Sequence, residues 1–340
     1  MRSQIVIGPA VFALVVLPSL AVAEQPDQKL RTAVVKALPL IQKGAVGHRE
    51  ERTCFACHNQ GIAVFALTTA ATRGFEIDQD ELRRQLQFVA DFLGRNRENY
   101  LQGKGQGGQV DTAGYALLTL EAGGWKPDDT TAAVTDYLLK YQSDADFWRT
   151  NSRRPPSEAS AFTTNYVGLR GLKAFGTPEQ KDRVDARTVK VRDWLLKQPA
   201  ADTEDRAFRL WAYQAAGVSK ADLQSAVKEL LATQQEDGGW RQLDSGEPES
   251  ATASDAYATG TALVALHQAG GLPTSDPAYQ RGLGYLLETQ LEDGTWLVHS
   301  RSRPFQAYFE TGFPHGKDQF ISAAATSWAV MAITLACEKQ

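Results

Sequence analysis

A chain of 340 residues, 43% of them hydrophobic, is long enough to bury one large core. Its formal net charge of −4, from 36 basic and 40 acidic side chains, gives no basic surplus and excludes a nucleic-acid partner from the expectations. With only 3 cysteines it is not a disulfide scaffold.

The N-terminus reads as an export signal. Arg2 supplies the positive start, Ile5–Leu17 an apolar run, and Ala21-Val22-Ala23 a small-residue cleavage site. The expectation is a signal peptide over residues 1–23, a single mature domain over residues 24–340, and a periplasmic or extracellular location. An uncleaved anchor is the alternative, but the run is short for a span. No later segment reads as long and apolar enough to cross a bilayer, so no stable span is expected after cleavage.

Residues 28–43 have an amphipathic helical period, with Leu30, Val34, Leu38 and Ile41 on one face. A loop over 44–60 follows and carries Cys54-Phe55-Ala56-Cys57-His58. Residues 61–73 are apolar almost all round, 80–94 are amphipathic, 103–108 form a glycine-rich loop, and 111–121 are small and apolar. The alternation continues, with amphipathic segments near 128–142, 179–198, 219–235 and 276–291. Apolar segments lie near 159–175, 204–216, 254–269 and 319–337. A helix apolar on every side must be buried, whereas one with a single apolar stripe faces water. Six of each in alternation predict an all-α protein, an inner ring of parallel helices inside an outer ring, that is, an (α/α)6 toroid of six helical hairpins. The helix at 28–43 should pack beside 319–337 and close the circle.

A repeated device punctuates this alternation. Arg281–Trp296 (RGLGYLLETQLEDGTW) is a helix that stops at Asp293-Gly294, with Gln290 in its last turn, placed to bond loop backbone, and Trp296 just beyond. Leu230–Trp240 repeats Gln234, Gly238 and Trp240 at the same offsets. Tyr137–Trp148 keeps Tyr137, Leu138, Gln142 and Trp148 with Asp146 in place of the glycine, and Trp194–Gln198 keeps only the helical part. These residues resemble the Gln-Trp (QW) repeat of the terpene cyclase and protein prenyltransferase superfamily, as in squalene-hopene cyclases. The resemblance implies the toroid fold and points less specifically to a reaction.

In such a ring the inner helices run the same way, so their N-termini and the Gly-Trp loops meet at one end, the mouth, which favours an anion. The basic residues Arg153, Arg154, Arg303 and Lys317, with Trp240 and Trp296, are the candidate binders there of an apolar or anionic small molecule. Pairing of the basic groups with rim acids such as Glu158 and Glu310 is the alternative.

Cys54-Phe55-Ala56-Cys57-His58 is similar to the attachment signature of c-type haem. That likeness implies thioethers from Cys54 and Cys57, His58 on the iron, haem c as cofactor and a redox partner. His48, His299 and His315 are candidate distal ligands, and Met331 reads as core. A Cys54–Cys57 disulfide, a reduced pair or a metal site are the other readings; Cys337 belongs at the opposite end of the ring.

Acids stand at the starts of inner helices: Asp111, Glu158, Asp205, Asp255 and Asp318. Hopene-type cyclases begin their reaction by protonating an alkene from an Asp-rich motif. Ser254-Asp255-Ala256-Tyr257 and Asp111-Thr112-Ala113 each match it with a single acid, and simple N-capping competes. His315, in Phe313–Asp318, is a third candidate for catalysis, as a general base. The zinc site that the prenyltransferase likeness would imply is absent, because no cysteine lies near Asp255. Three functions follow: a haem-bearing exported toroid in electron transfer or redox chemistry, an isoprenoid cyclase or transferase with structural cysteines, or a non-catalytic binding toroid.

Overall fold

The computed structural model describes residues 26–339 apart from 247, 249, 250 and 305. The expected signal peptide lies outside the described residues. The outer helices are α1 (Pro26–Glu51), α3 (Gln79–Arg95), α6 (Asp129–Lys140), α8 (Lys181–Leu195), α10 (Lys220–Leu231) and α12 (Pro277–Thr289). Between them run the inner helices α2 (Ile62–Ala71), α5 (Gln109–Ala122), α7 (Ala161–Phe175), α9 (Thr203–Ala216), α11 (Ala256–Gln268) and α13 (Gln319–Ala336). A short α4 (Arg97–Leu101) is the one α-helix among the described residues outside this alternation. Each inner helix packs on the next, α13 returns to α2, and α1 lies against α13, so the ring closes as the periodicity predicts.

The sequence chooses the ends of these helices. Asp78, Asp128, Asp202, Ser219, Asp255 and Asp276 cap α3, α6, α9, α10, α11 and α12 by accepting backbone N–H bonds, and Ser160 does so for α7. Such caps are worth about 1 kcal/mol each.

The three tryptophan turns share one geometry. The indole N–H groups of Trp148, Trp240 and Trp296 donate to the carbonyls of Leu138, Leu230 and Leu286 at 3.1, 3.0 and 2.9 Å, each ten residues upstream. Their backbone N–H groups donate to Asn165, Thr259 and Thr326 on the following inner helix. Gln234 and Gln290 donate to the loop carbonyls of Gly238 and Gly294 and to Ala278 and Ala33 on the next outer helix. Gln290 thus ties the last repeat to α1. A short antiparallel pairing, β1 (Trp240–Arg241) with β2 (Ser254–Asp255), sets Trp240 opposite Asp255.

Three expectations change. The loop assigned to 44–60 is mostly helical: α1 runs on to Glu51 and a π-helical turn covers Cys57–Gly61. The reason is close packing, since a Cβ on Gly47 would lie 2.0 Å from the Thr311 carbonyl oxygen. The glycines were signals of contact rather than of a loop. Gly47→Ala is therefore expected to destabilise the chain by about 1–3 kcal/mol through overpacking, read from the urea midpoint. Second, Gly316–Ala336 is long and apolar enough to cross a membrane, contrary to the expectation from sequence, but 78% of that window is buried inside the ring. Third, Trp240 and Trp296, expected at the mouth as ligand contacts, are buried within their turns. They are 0% and 1% exposed with their N–H groups satisfied within the turn, and they pin it.

Candidate functional site

Two openings lie at the mouth. One cavity, of about 370 Å³, is lined by His48, Cys54–His58, Gln106–Gly108, Asp111, Arg154 and Glu158, with Phe92, Asn96, Thr112 and Gln306 completing its walls. A second compartment, of about 360 Å³, shares His58, Arg154, Glu158 and Gln306 with the first. The bore behind them is filled. Tyr166, Trp211 and Trp328 stack with ring centroids 5.8 and 5.5 Å apart, and Phe208 lies 4.9 Å from Trp211. The space left among these rings is about 20 Å³, room for roughly one water.

Glu158 organises the mouth. It is 5% exposed, accepts from the Cys57 thiol at 2.6 Å and from Ser152 at 3.1 Å, and forms an ion pair with Arg154. The Arg154 and Glu158 backbones bond each other across the intervening turn, which fixes both side chains. Burial, reinforced by the Glu158 charge, pushes the Cys57 thiol well up, so it stays protonated. Cys54 is exposed, and both cysteines are free.

His58 is enclosed by protein but keeps part of its surface toward the cavity. Burial, with the neighbouring His48 and Arg154, lowers it to about 3, so its imidazole is neutral and a lone pair is available. The ligand atoms of Cys57, His58 and Glu158 lie within 4.8 Å of one another. His48, also held neutral by burial, bonds the Cys54 carbonyl at 2.8 Å. Opposite, Gly108 opens α5 with φ +79°, and a Cβ there would meet the Thr112 hydroxyl at 2.1 Å. That conformation suits glycine and lets the loop wall approach the cavity.

The predicted site residues separate. Cys54, Cys57, His58, Asp111 and Arg154 line the first cavity; Arg303 and Lys317 line the second compartment with Arg154. Asp111 accepts from Thr164 at 2.6 Å, and burial raises it to about 7. Arg153 is exposed and lines neither opening. Asp255 caps α11 and accepts from Gln242 at 2.8 Å; desolvation raises it to about 6. It lines none of these openings, and Asp255→Ala is expected to cost about 1 kcal/mol as a lost cap, measured by thermal unfolding. His315 sits at φ +83° and bonds Thr295 at 2.7 Å, whose hydroxyl donates to Asp293, so it fastens a loop to the last tryptophan turn rather than facing the cavity. His299 pairs with Asp318 at 2.8 Å. Of the three distal-ligand candidates, only His48 lines the cavity. Cys337 ends α13 beside Arg73, at the far end of the ring from Cys54 and Cys57, as expected.

Glu204 went unrecognised in the sequence. It is 5% exposed in the first turn of α9 and accepts from Thr163 at 3.0 Å and Tyr257 at 3.2 Å. Burial, then the Asp202 charge, lifts it to about 8. Its neighbour Asp205 carried the expectation; a one-residue step turns Glu204 inward and leaves Asp205 to bond Ser160.

Comparison with known proteins agrees with this architecture. Residues 207–321 match the family described as squalene-hopene cyclase C-terminal domain. Over 210 residues, 58% of the chain, it is 28% identical to drimenyl diphosphate synthase of Streptantibioticus cattleyicolor. Over 126 residues, 33% of the chain, it is 34% identical to a protein named probable squalene-hopene cyclase from Sinorhizobium fredii. The matches cover 37% and 18% of those relatives, so the chain spans about a third of their length or less. Among solved structures, the type II terpene cyclase MstE from Scytonema superposes with a TM-score of 0.56 at 14% identity, covering 92% of this chain and 99% of that one. Unsaturated glucuronyl hydrolase from Bacillus sp. GL1 superposes with 0.51 at 13% identity, covering 77% and 85%. The fold is a terpene-cyclase-like helical toroid, and the likeness to a hydrolase shows that this fold serves more than one chemistry.

Proposed function

We propose that this chain is a cyclase-like toroid whose chemistry sits at the mouth, where Cys54 and Cys57 carry haem c and His58 ligates it, in electron transfer or redox chemistry on an apolar or anionic ligand. One observation carries this reading: the Cys-x-x-Cys-His segment lines a cavity of about 370 Å³, while the bore that would hold an isoprenoid retains about 20 Å³. The residues suit the group. The cavity falls in the size range of cofactor sites. His58 is neutral, Cys54 stands exposed, and Gly107 has open space where a side chain would be. Attachment through Cys57 would free Glu158 from the thiol and leave it with Arg154 and Ser152. Bound haem would supply one-electron chemistry. The protein's own part is to hold a neutral imidazole, to keep the Arg154–Glu158 pair beside it, and to offer Asp111 as a group that titrates near neutrality. Export through residues 1–23 and a redox partner belong to the same proposal. In cells equipped for covalent haem attachment, Cys54→Ser/Cys57→Ser is expected to lose at least ten-fold of the Soret absorbance per protein. A variant as strongly coloured as the parent would end the reading.

A second reading, an isoprenoid cyclase or transferase with structural cysteines, is supported more directly by the sequence relatives. Glu204 is the observation within the chain that favours it: a buried carboxyl kept protonated at neutral pH is the group needed to protonate an alkene. It requires the bore aromatics to part. Incubation with linear isoprenoids should then give cyclic product that falls at least a hundred-fold in Glu204→Gln. Absence of product from the parent protein, or full turnover by the variant, would remove it.

A further inference from the structure

We propose that the second mouth compartment binds an amphipathic anion, a molecule with a short apolar body and a single carboxylate or phosphate head. The binding itself does not need haem; only the ligand's role as a substrate of the redox centre rests on the mouth reading.

The argument is one of charge left over. Three cations, Arg154, Arg303 and Lys317, line a space of about 360 Å³, and Glu158 is the one acid among its lining residues. Glu158 is already committed to Arg154, Ser152 and Cys57. The neighbouring acids turn to other donors rather than to these cations. Asp318 accepts from the Ser300 backbone and pairs with His299, both at 2.8 Å, and Glu310 accepts from Tyr308 and from Gln319 at 3.1 Å. Among the described residues no ion pair is formed by Arg303 or Lys317. The remaining wall is apolar, with Pro155, Pro304, Phe320 and Ile321, while Ser300 and Ser302 supply hydroxyls near the cations. A basic rim over an apolar floor matches a charged head on an apolar body, and guanidinium recognises carboxylate and phosphate oxygens.

The compartment also touches the centre proposed above. His58 lines both spaces, and its ring meets Phe320 edge to face at 5.5 Å. A ligand on Phe320 would therefore lie one ring from His58.

The test is calorimetric titration of the full-length protein with decanoate, decyl phosphate and decanol. Decanoate or decyl phosphate is expected to bind saturably at one site, with decanol at least ten-fold weaker; the stronger of the two anions identifies the head. Arg303→Ala/Lys317→Ala should weaken the anions ten-fold or more and leave decanol unchanged. Both side chains are exposed, so circular dichroism should show an unchanged fold. Ala307→Trp, which places a large ring at an exposed residue lining the compartment, should abolish binding. Equal affinity for decanol, unchanged affinity in both variants, or no saturable binding would overturn the proposal. Repeating the titration on Cys54→Ser/Cys57→Ser separates the two claims. Anion binding by that variant upholds the compartment whether or not the parent carries haem, whereas loss of binding in the Arg303/Lys317 variant alone bears only on the compartment. Where haem is present, decanoate should also shift the Soret band.

Discussion

Trp296→Ala is expected to lower the unfolding free energy by about 4 kcal/mol, within the range for burying and then losing a large aromatic. The side chain is 1% exposed, and its indole N–H bonds the Leu286 carbonyl at 2.9 Å. Truncation leaves a cavity and leaves the Leu286 carbonyl with only the longer bond from the Thr289 hydroxyl, at 3.5 Å. It also loosens the turn through which Gln290 reaches Ala33, the contact that joins the last repeat to the first. That joint acts alongside the packing of α13 on α1 and α2. Trp125, partly exposed and bonded to Asp128 at 2.9 Å, provides the comparison; its alanine variant should cost about 1 kcal/mol. Urea unfolding measures both. A loss below about 1.5 kcal/mol for Trp296→Ala would mean that the tryptophan turns do not close the ring.

The second large effect is one of pH. Glu204 rises from 4.5 to about 8 in the folded chain, mainly through burial. Between those values the folded state holds a proton that the unfolded state has released, so stability falls as pH rises through the window and levels off above it. At about 1.4 kcal/mol per unit the full decline is on the order of 5 kcal/mol. Asp111, raised from 3.8 to about 7, acts in the same direction over a lower window. Glu204→Gln should therefore flatten the decline without abolishing it, and should gain most over the parent near pH 8. Denaturant midpoints taken at half-unit steps from pH 5 to 8.5 give the comparison. Parallel profiles for parent and variant would show that Glu204 is ionised when folded, which would also undo its candidacy as a proton donor.

The architecture was legible because its signals are periodic. An alternation of two helix types and a recurring Gln–Gly–Trp spacing each require particular backbone geometry, and the structure reproduces both. The cysteine pair and His58 stood out in the sequence by their spacing, and the structure sets all three on one cavity. Roles within the mouth were harder to read. Trp240 and Trp296 read equally well as cavity walls or as pins, since the carbonyl each one bonds lies ten residues away and leaves no compositional trace. Gly44 and Gly47 looked like a loop because their reason, the approach of Phe313 and Thr311, comes from the other end of the chain. Arg303 and Lys317 reach the mouth while Arg153 does not, a difference set by how two loops fold over it. Glu204 and Asp205 show the same limit: adjacent acids, one turned to the interior and one to a cap.

The measurement that tests the central claim most directly is the absorption spectrum and intact mass of the protein made in cells able to attach haem. The account predicts a Soret band that survives denaturation and acid–acetone extraction, with a mass raised by one haem. A colourless protein of unmodified mass would contradict it.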